Sequence, residues 1–156
     1  MEIQLIYSRT TEYAIRALSH VASENKLMGI QKISRRIGVP PAYVSKIFQG
    51  LVHSGILHSR RGAKGGYYLR KKPSHLKLKT IIRAIDDPSQ SPFVGCMMGF
   101  SQCGTRNPCP LHYSMEKFKK TMKEKLNEIT LLDIMNRINC NKPKGREKDV
   151  LSKQMR

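Results

Sequence analysis

The sequence has no tryptophan, and aromatic residues make up only 6% of it. Nowhere does it hold about 18 consecutive apolar residues, the length a membrane-crossing helix needs, so no membrane partner is expected. Its first residues, MEIQLIYSRTTEYAIRA, lack a basic stretch followed by an apolar one. That pattern marks a secretory signal, and its absence predicts a cytoplasmic protein. No phosphate-binding glycine loop, catalytic constellation or internal repeat is visible, so the chain does not read as an enzyme. Acidic side chains are scarce as well, 11 against 29 Lys and Arg, which leaves a formal net charge of +18 on 156 residues. Such a surface attracts phosphate backbones and releases their counterions on binding. Charge alone also fits a merely soluble basic protein or one that adheres to anionic membrane.

The residues that are present organise the first part of the chain. In TTEYAIRALSHVASE, Tyr13, Ala14, Ala17, Leu18 and Val21 recur at helical spacing, with Ser8, Thr10 or Thr11 available as cap. In IQKISRRIGV, Ile30, Ile33 and Ile37 form one stripe and Gly38 ends a short helix. PPAYVSKIFQGLVHSGIL opens on prolines, which the first helical turn tolerates, and buries Val44, Ile47, Phe48 and Leu51. Two helices joined by a tight turn make a helix-turn-helix. HSRRGAKGGYYLRKK then reads as a β-hairpin whose glycines permit the turn, with Arg60, Arg61 and Lys64 at its tip. A helix-turn-helix followed by a basic hairpin is a winged helix. Its second helix enters the major groove of double-stranded DNA and its wing presses cations against phosphates. Tyr43, Ser45 and Lys46 point outward near the start of that helix, although Tyr43 is equally suited to pack on the first helix and Lys46 to be a solvated charge.

Beyond the wing, LKLKTIIRAIDD predicts a short helix and PSQSPF breaks regular structure. Leu111, Met115, Phe118, Met122, Leu126, Ile129 and Leu132 recur every three or four residues, which predicts one amphipathic helix of about 28 residues, about 40 Å long. The domain before it reads as closing its own core, so a second copy of the same helix is the expected cover, giving a homodimer matched to a palindromic operator. The expected fold is mainly α with a small β-hairpin wing: a winged helix-turn-helix over 1–75, a linking helix and cysteine-rich loop over 76–109, a dimerisation helix over 110–140 and a basic disordered tail over 141–156.

Three of the four cysteines fall within CMMGFSQCGTRNPCPLH, as C-x6-C-x5-C-x2-H from Cys96, Cys103 and Cys109 to His112. Three thiolates and one harder ligand hold either Zn²⁺ or an iron–sulfur cluster. The short C-x2–4-C pairs usual for structural zinc are absent, and a long glycine-bearing loop suits the wider cluster. His112 is the local candidate for the fourth ligand. Glu12, on the first helix, is the distant one, reachable across a two-fold dimer. The readings that compete with a cluster-bearing regulator are a winged-helix DNA-binding protein with a structural zinc site and no sensing role, an RNA-binding zinc finger, and a redox enzyme. The long helix and the wing argue against the second, and the missing substrate signature against the last.

TTEYAIRAL, IGVPPAYVSKIFQGL, RRGAKGGYYL, the three-cysteine loop and ITLLDI together resemble the bacterial winged-helix iron–sulfur cluster transcriptional regulators, the family of IscR and NsrR, over roughly residues 5–138. The resemblance implies a homodimeric, cytoplasmic repressor with one cluster per subunit, 2Fe-2S or 4Fe-4S, whose loss or modification reports nitric oxide, redox stress or iron–sulfur status. It implies Cys96, Cys103 and Cys109 as cluster ligands, with His112 or an acidic residue, Glu12 of the partner subunit, as the fourth. It further implies Arg61 as the wing arginine and Ser45 and Lys46 as base-contacting residues. The chain departs from those relatives in its first cysteine interval, six residues rather than five, and in Pro40 and Pro41 at the start of the recognition helix.

Overall fold

The computed structural model describes residues 7–24, 26–62, 65–87, 96, 98–100 and 104–140. Helix α1, Arg9–Glu24, buries Thr11, Ala14, Ile15, Ala17, Leu18 and Val21. Its start is set by Ser8, whose Oγ accepts the Thr11 N–H at 3.2 Å while its carbonyl accepts the Glu12 N–H at 3.1 Å. Of the three expected caps, Ser8 is therefore the one that acts. Helix α2, Ile30–Ile37, stops where Gly38 turns left-handed at φ 69° and its N–H donates to the Ser34 carbonyl. A side chain at that φ is strained, which is why glycine stands there. Helix α3, Pro41–His53, begins with its proline in the first turn and buries Val44, Ile47, Phe48 and Leu51.

Strands β1, Leu57–Arg60, and β2, Gly66–Leu69, pair antiparallel with Leu57 opposite Leu69 and Arg60 opposite Gly66. Tyr67 then exchanges two backbone hydrogen bonds with Met28, at 3.1 and 3.0 Å. Gly66 lies so close to the Met28 backbone that a Cβ there would sit 2.8 Å from it. A 3-10 turn, Pro73–His75, leads into α4, Leu78–Ile85. The chain ends its described part with α5, His112–Glu128, and α6, Leu131–Cys140.

The expected single 28-residue helix is thus two helices, 17 and 10 residues long. Ile129 is extended at φ −63°, ψ 130°, and its carbonyl accepts the Leu78 N–H at 2.9 Å. The Leu131 N–H donates to the Leu76 carbonyl at 2.8 Å. Pairing with the segment before α4 takes these backbone groups out of the helix. Thr130 and Asp133 then cap α6: the Thr130 N–H and hydroxyl both donate to the Asp133 carboxylate, at 2.9 and 2.6 Å. Those bonds hold the Asp133 carboxyl below its ordinary value.

The core likewise differs from expectation. Leu76, Leu78, Ile81, Leu126 and Leu131 belong to the same buried cluster as Leu18, Ile33, Phe48 and Leu51, so the first seventy residues do not close a core of their own. Helix α1 is its centre, touching α2, α3, α4, α6 and β2. Each large side chain withdrawn from water here contributes about 1.5–3 kcal/mol. Ser8 adds a tie across the fold by donating both its N–H and its hydroxyl to the Asp86 carboxylate at the end of α4.

Candidate DNA-binding surface and cysteine loop

The buried positions of α3 fix what its other face presents. Ala42, Tyr43, Lys46, Gln49 and His53 are exposed, and Ser45 is half-buried between them. No acidic residue occurs anywhere on α3, so nothing on it repels a phosphate. Tyr43 does what both sequence readings asked. Its ring meets Tyr13 edge-on, with centroids 6.1 Å apart at 87°, and its hydroxyl lies 2.7 Å from the Thr10 Oγ1. It nonetheless remains 39% exposed, so it is anchored to α1 and still presented outward. Gln49 joins the outward residues one turn beyond Ser45 and Lys46. Its place was available in the sequence by stepping three and four residues along the helix, and sequence reasoning stopped short of it.

In the wing, Arg60 is the last residue of β1 and Arg61 follows it, both exposed. The turn is closed by the Gly65 N–H donating to the Gly62 carbonyl at 2.8 Å, with Gly62 at φ 108°. A side chain at Gly65 would collide with the Arg60 carbonyl. Lys64, the third expected cation, lies outside the described residues. The root of the wing is braced against α3, because the Tyr67 ring meets Phe48 edge-on at 5.0 Å. The wing is therefore packed directly on α3, an arrangement suited to meeting a groove and its flanking phosphates together.

The cysteine stretch is described in part. The Cys96 carbonyl accepts the Gly99 N–H at 3.0 Å, with Gly99 at φ 77°, and the Cys109 carbonyl accepts the His112 N–H at 2.9 Å as α5 begins. Cys96 and Cys109 are both half-buried, and neither is in a disulfide. Cys103 lies outside the described residues, as does the tail over 141–156. His112 sets its ring edge-on to Tyr113 at 5.2 Å. Glu12 stands in the first turn of α1, its side chain 48% exposed, with Arg16 at 3.9 Å. Among the described residues, no three His, Cys, Asp or Glu side chains gather closely enough to hold one ion. One chain therefore does not bring Glu12 to Cys96 and Cys109.

Residues 7–137 match the sequence profile of the Rrf2 family, described as iron-dependent transcriptional regulators. The chain belongs to the Rrf2 family. It is similar to the HTH-type transcriptional regulator IscR of Yersinia pseudotuberculosis, 30% identical over 126 residues that cover 80% of this chain and 75% of that one. Among solved structures it resembles T. potens IscR, with a TM-score of 0.67 and 25% identity over 92% of this chain and 96% of that one. It also shares its fold with CymR, the global cysteine regulator of B. subtilis, with a TM-score of 0.71 and 20% identity over 86% and 98%. This Rrf2 protein is accordingly a winged-helix, DNA-binding transcriptional regulator and not an enzyme. Among its described residues no helix is long and apolar enough to cross a membrane.

Proposed function

We propose that this Rrf2 protein binds duplex operators as a homodimer and that an iron–sulfur cluster controls the binding. Tyr43, Ser45, Lys46 and Gln49 meet base edges and adjoining phosphates in the major groove, and Arg60, Arg61 and Lys64 meet phosphates beside it. Cys96, Cys103 and Cys109 are the cluster's thiolate ligands, and Glu12 of the partner subunit is the fourth, in preference to His112. The observation that carries this reading is the donor set itself: soft sulfur ligands spaced along a turn-rich stretch that runs into the N-terminus of α5. That helix end has no side-chain cap and no acidic residue in its first turn. Its dipole therefore favours the negative charge that thiolates bring. The two described cysteines are half-buried, which shields a cluster without sealing it from small reactants. Such a group supplies a centre that reacts with nitric oxide or oxidants.

The chain's own residues supply the link to DNA. Glu12 lies two positions from Thr10 on the same turn of α1, and Thr10 holds the Tyr43 hydroxyl. A change in what Glu12 binds thus bears on the recognition helix through one hydrogen bond and one ring contact, with α1 as the element whose placement is biased. At the start of α5 and along one face of it, Leu111 and Phe118 are exposed, 46 and 40%, beside half-buried Met115 and Met122. That apolar row supports α5 as the seam of the homodimer. Purification without oxygen tests the reading. A coloured protein whose iron and sulfide assays give two or four of each per chain supports it and names the cluster type. A colourless protein holding one Zn²⁺ overturns it in favour of a structural site.

A further inference from the structure

The root of the wing forms one side of a half-open cavity of about 420 Å³, lined among others by Lys26, Leu27, Tyr68, Arg70, Lys71 and Lys72. We propose that it binds a small phosphorylated ligand that carries an aromatic ring, the chemistry of a nucleotide.

Charge is the first argument. Four cations line one volume, and among the described residues no acidic side chain lines it and none of the four is ion-paired. Near the end of α1, by contrast, Lys32 and Arg36 both close on Glu24, at 2.9 and 2.6 Å. Glu24, the nearest carboxylate to Lys26 along the chain, feels the Lys26 charge but is in direct contact with that pair, so it offsets Lys26 only in part. The cavity therefore keeps a concentrated positive field that an anion relieves. One carboxylate would leave most of that charge unmatched, whereas a phosphate chain carries several negative oxygens. The Arg70 guanidinium, packed over Gly55, offers the fork that pairs with two of them.

The apolar wall is the second argument. Tyr68 is 43% exposed and Leu27 36%, both on the cavity. The Tyr68 ring is held in place by stacking on His58, with centroids 5.2 Å apart at 23°. A bare inorganic ion would leave this wall in contact with water. A base or similar planar ring covers it, and aromatic side chains stack on such rings without regard to their sequence. The volume lies within the usual range for small-molecule sites.

Position separates the cavity from the DNA-reading surface. None of Tyr43, Ser45, Lys46, Gln49, Arg60 or Arg61 lines it. Arg70, Lys71 and Lys72 follow the end of β2 away from the wing tip. A duplex presents its phosphates on a convex rod, which does not fill a concave site. Because Tyr68 is part of the wing, a bound ligand would also bear on where Arg60 and Arg61 stand, giving the regulator a second input.

Isothermal titration of the full chain tests this, with adenosine triphosphate, inorganic triphosphate and adenosine as probes. The expected result is one saturable site per chain for adenosine triphosphate. Inorganic triphosphate binds about tenfold more weakly, the size of one stacked base, and Tyr68→Leu weakens the nucleotide by a similar factor. Lys71→Glu with Lys72→Glu abolishes binding, while a charge-matched pair on α5, Lys120→Glu with Lys123→Glu, leaves it within about twofold. All five side chains are exposed, and circular dichroism checks that each variant is folded. Three results overturn the proposal: no saturable binding up to about 1 mM, equal losses in the two double variants, or equal affinity for the nucleotide and the bare triphosphate.

Discussion

The Tyr43 hydroxyl lies 2.7 Å from the Thr10 Oγ1, so the outward face of the recognition helix is fastened to the first turn of α1. Glu12 rises from that same turn. An exposed hydrogen bond of this kind contributes about 0.5–1.5 kcal/mol. Tyr43→Phe keeps the ring on Tyr13 and removes only the bond to Thr10. The variant is expected to unfold within about 1 kcal/mol of the parent in urea. Its operator affinity should differ less between the cluster-loaded and cluster-free states than the parent's does. Fluorescence anisotropy with a labelled operator reads the difference, and an undiminished one would sink the link through Tyr43.

The wing and the recognition helix are expected to fail in different ways. Arg60→Ala and Arg61→Ala each remove a proposed phosphate contact. Binding should weaken on every duplex, and the slope of log K against log salt should fall by about one unit per residue. Ser45→Ala, Lys46→Ala and Gln49→Ala should instead reorder preference among operator variants, by about 1–3 kcal/mol where a base contact is lost. Titrations at several salt concentrations separate the two. An unchanged salt slope in the arginine variants would take the wing off the phosphates.

Thr11 is fully buried, and among the described residues its Oγ1 has no hydrogen-bond partner. An unmet buried hydroxyl costs about 1–3 kcal/mol. Valine has the same shape without that group, so Thr11→Val is expected to stabilise the protein by about 1 kcal/mol. Thr11→Ser keeps the hydroxyl and loses a buried methyl, and should destabilise by a similar amount. Urea unfolding of both variants reads this directly. Destabilisation by valine would mean that the hydroxyl is satisfied in solution.

Much of this fold is legible in the sequence because local signals agree with the tertiary ones. Gly38 ends α2 where a left-handed residue is needed, Pro41 opens α3, and the Val44, Ile47, Phe48, Leu51 spacing fixes which side of α3 is buried and which faces outward. The boundary between α5 and α6 was harder to see. The apolar rhythm runs on through Ile129, while the break comes from backbone pairing with Leu76 and Leu78, some fifty residues earlier. A local trace does exist in Thr130-x-x-Asp133, a capping pair that the continuing stripe hid. The stripe gave no sign that Lys119 is buried within the subunit. The cavity beneath the wing had no sequence signature, since Lys26 and Lys72 meet only once the chain has folded.

The exposed row on α5 leads to a test of assembly. Phe118→Glu with Met122→Glu places two carboxylates in the proposed seam, where a buried unpaired charge is strongly unfavourable. Phe118 is exposed and Met122 half-buried in the single chain, so the subunit itself should fold. Sedimentation is expected to show monomers, with operator binding weakened because two half-sites are no longer read together. A double variant that stays dimeric would place the seam elsewhere.

The fourth ligand of the proposed cluster would decide whether a signal passes within one subunit or between two. His112 follows Cys109 by three residues, and its N–H donates to the Cys109 carbonyl, so as ligand it would keep the cluster inside one loop. Glu12 sits in another part of the fold, and as ligand it must come from the partner subunit. It would then join one subunit's α1, and through Thr10 its recognition helix, to the other subunit's loop. Glu12→Ala is therefore expected to change the visible absorption and the reaction with nitric oxide more than His112→Ala does. Glu12 also pairs weakly with Arg16 at 3.9 Å, with both side chains close to half exposed, so that ion pair contributes little to the fold. Arg16→Gln breaks the same pair and keeps the carboxylate, and should leave the spectrum unchanged. Anaerobic absorption and circular dichroism spectra of the three variants, with iron and sulfide assays, read the outcome. A parent-like spectrum from Glu12→Ala beside a bleached His112→Ala would assign the ligand to His112. Control would then have to pass from the loop into α5 rather than across the dimer to α1.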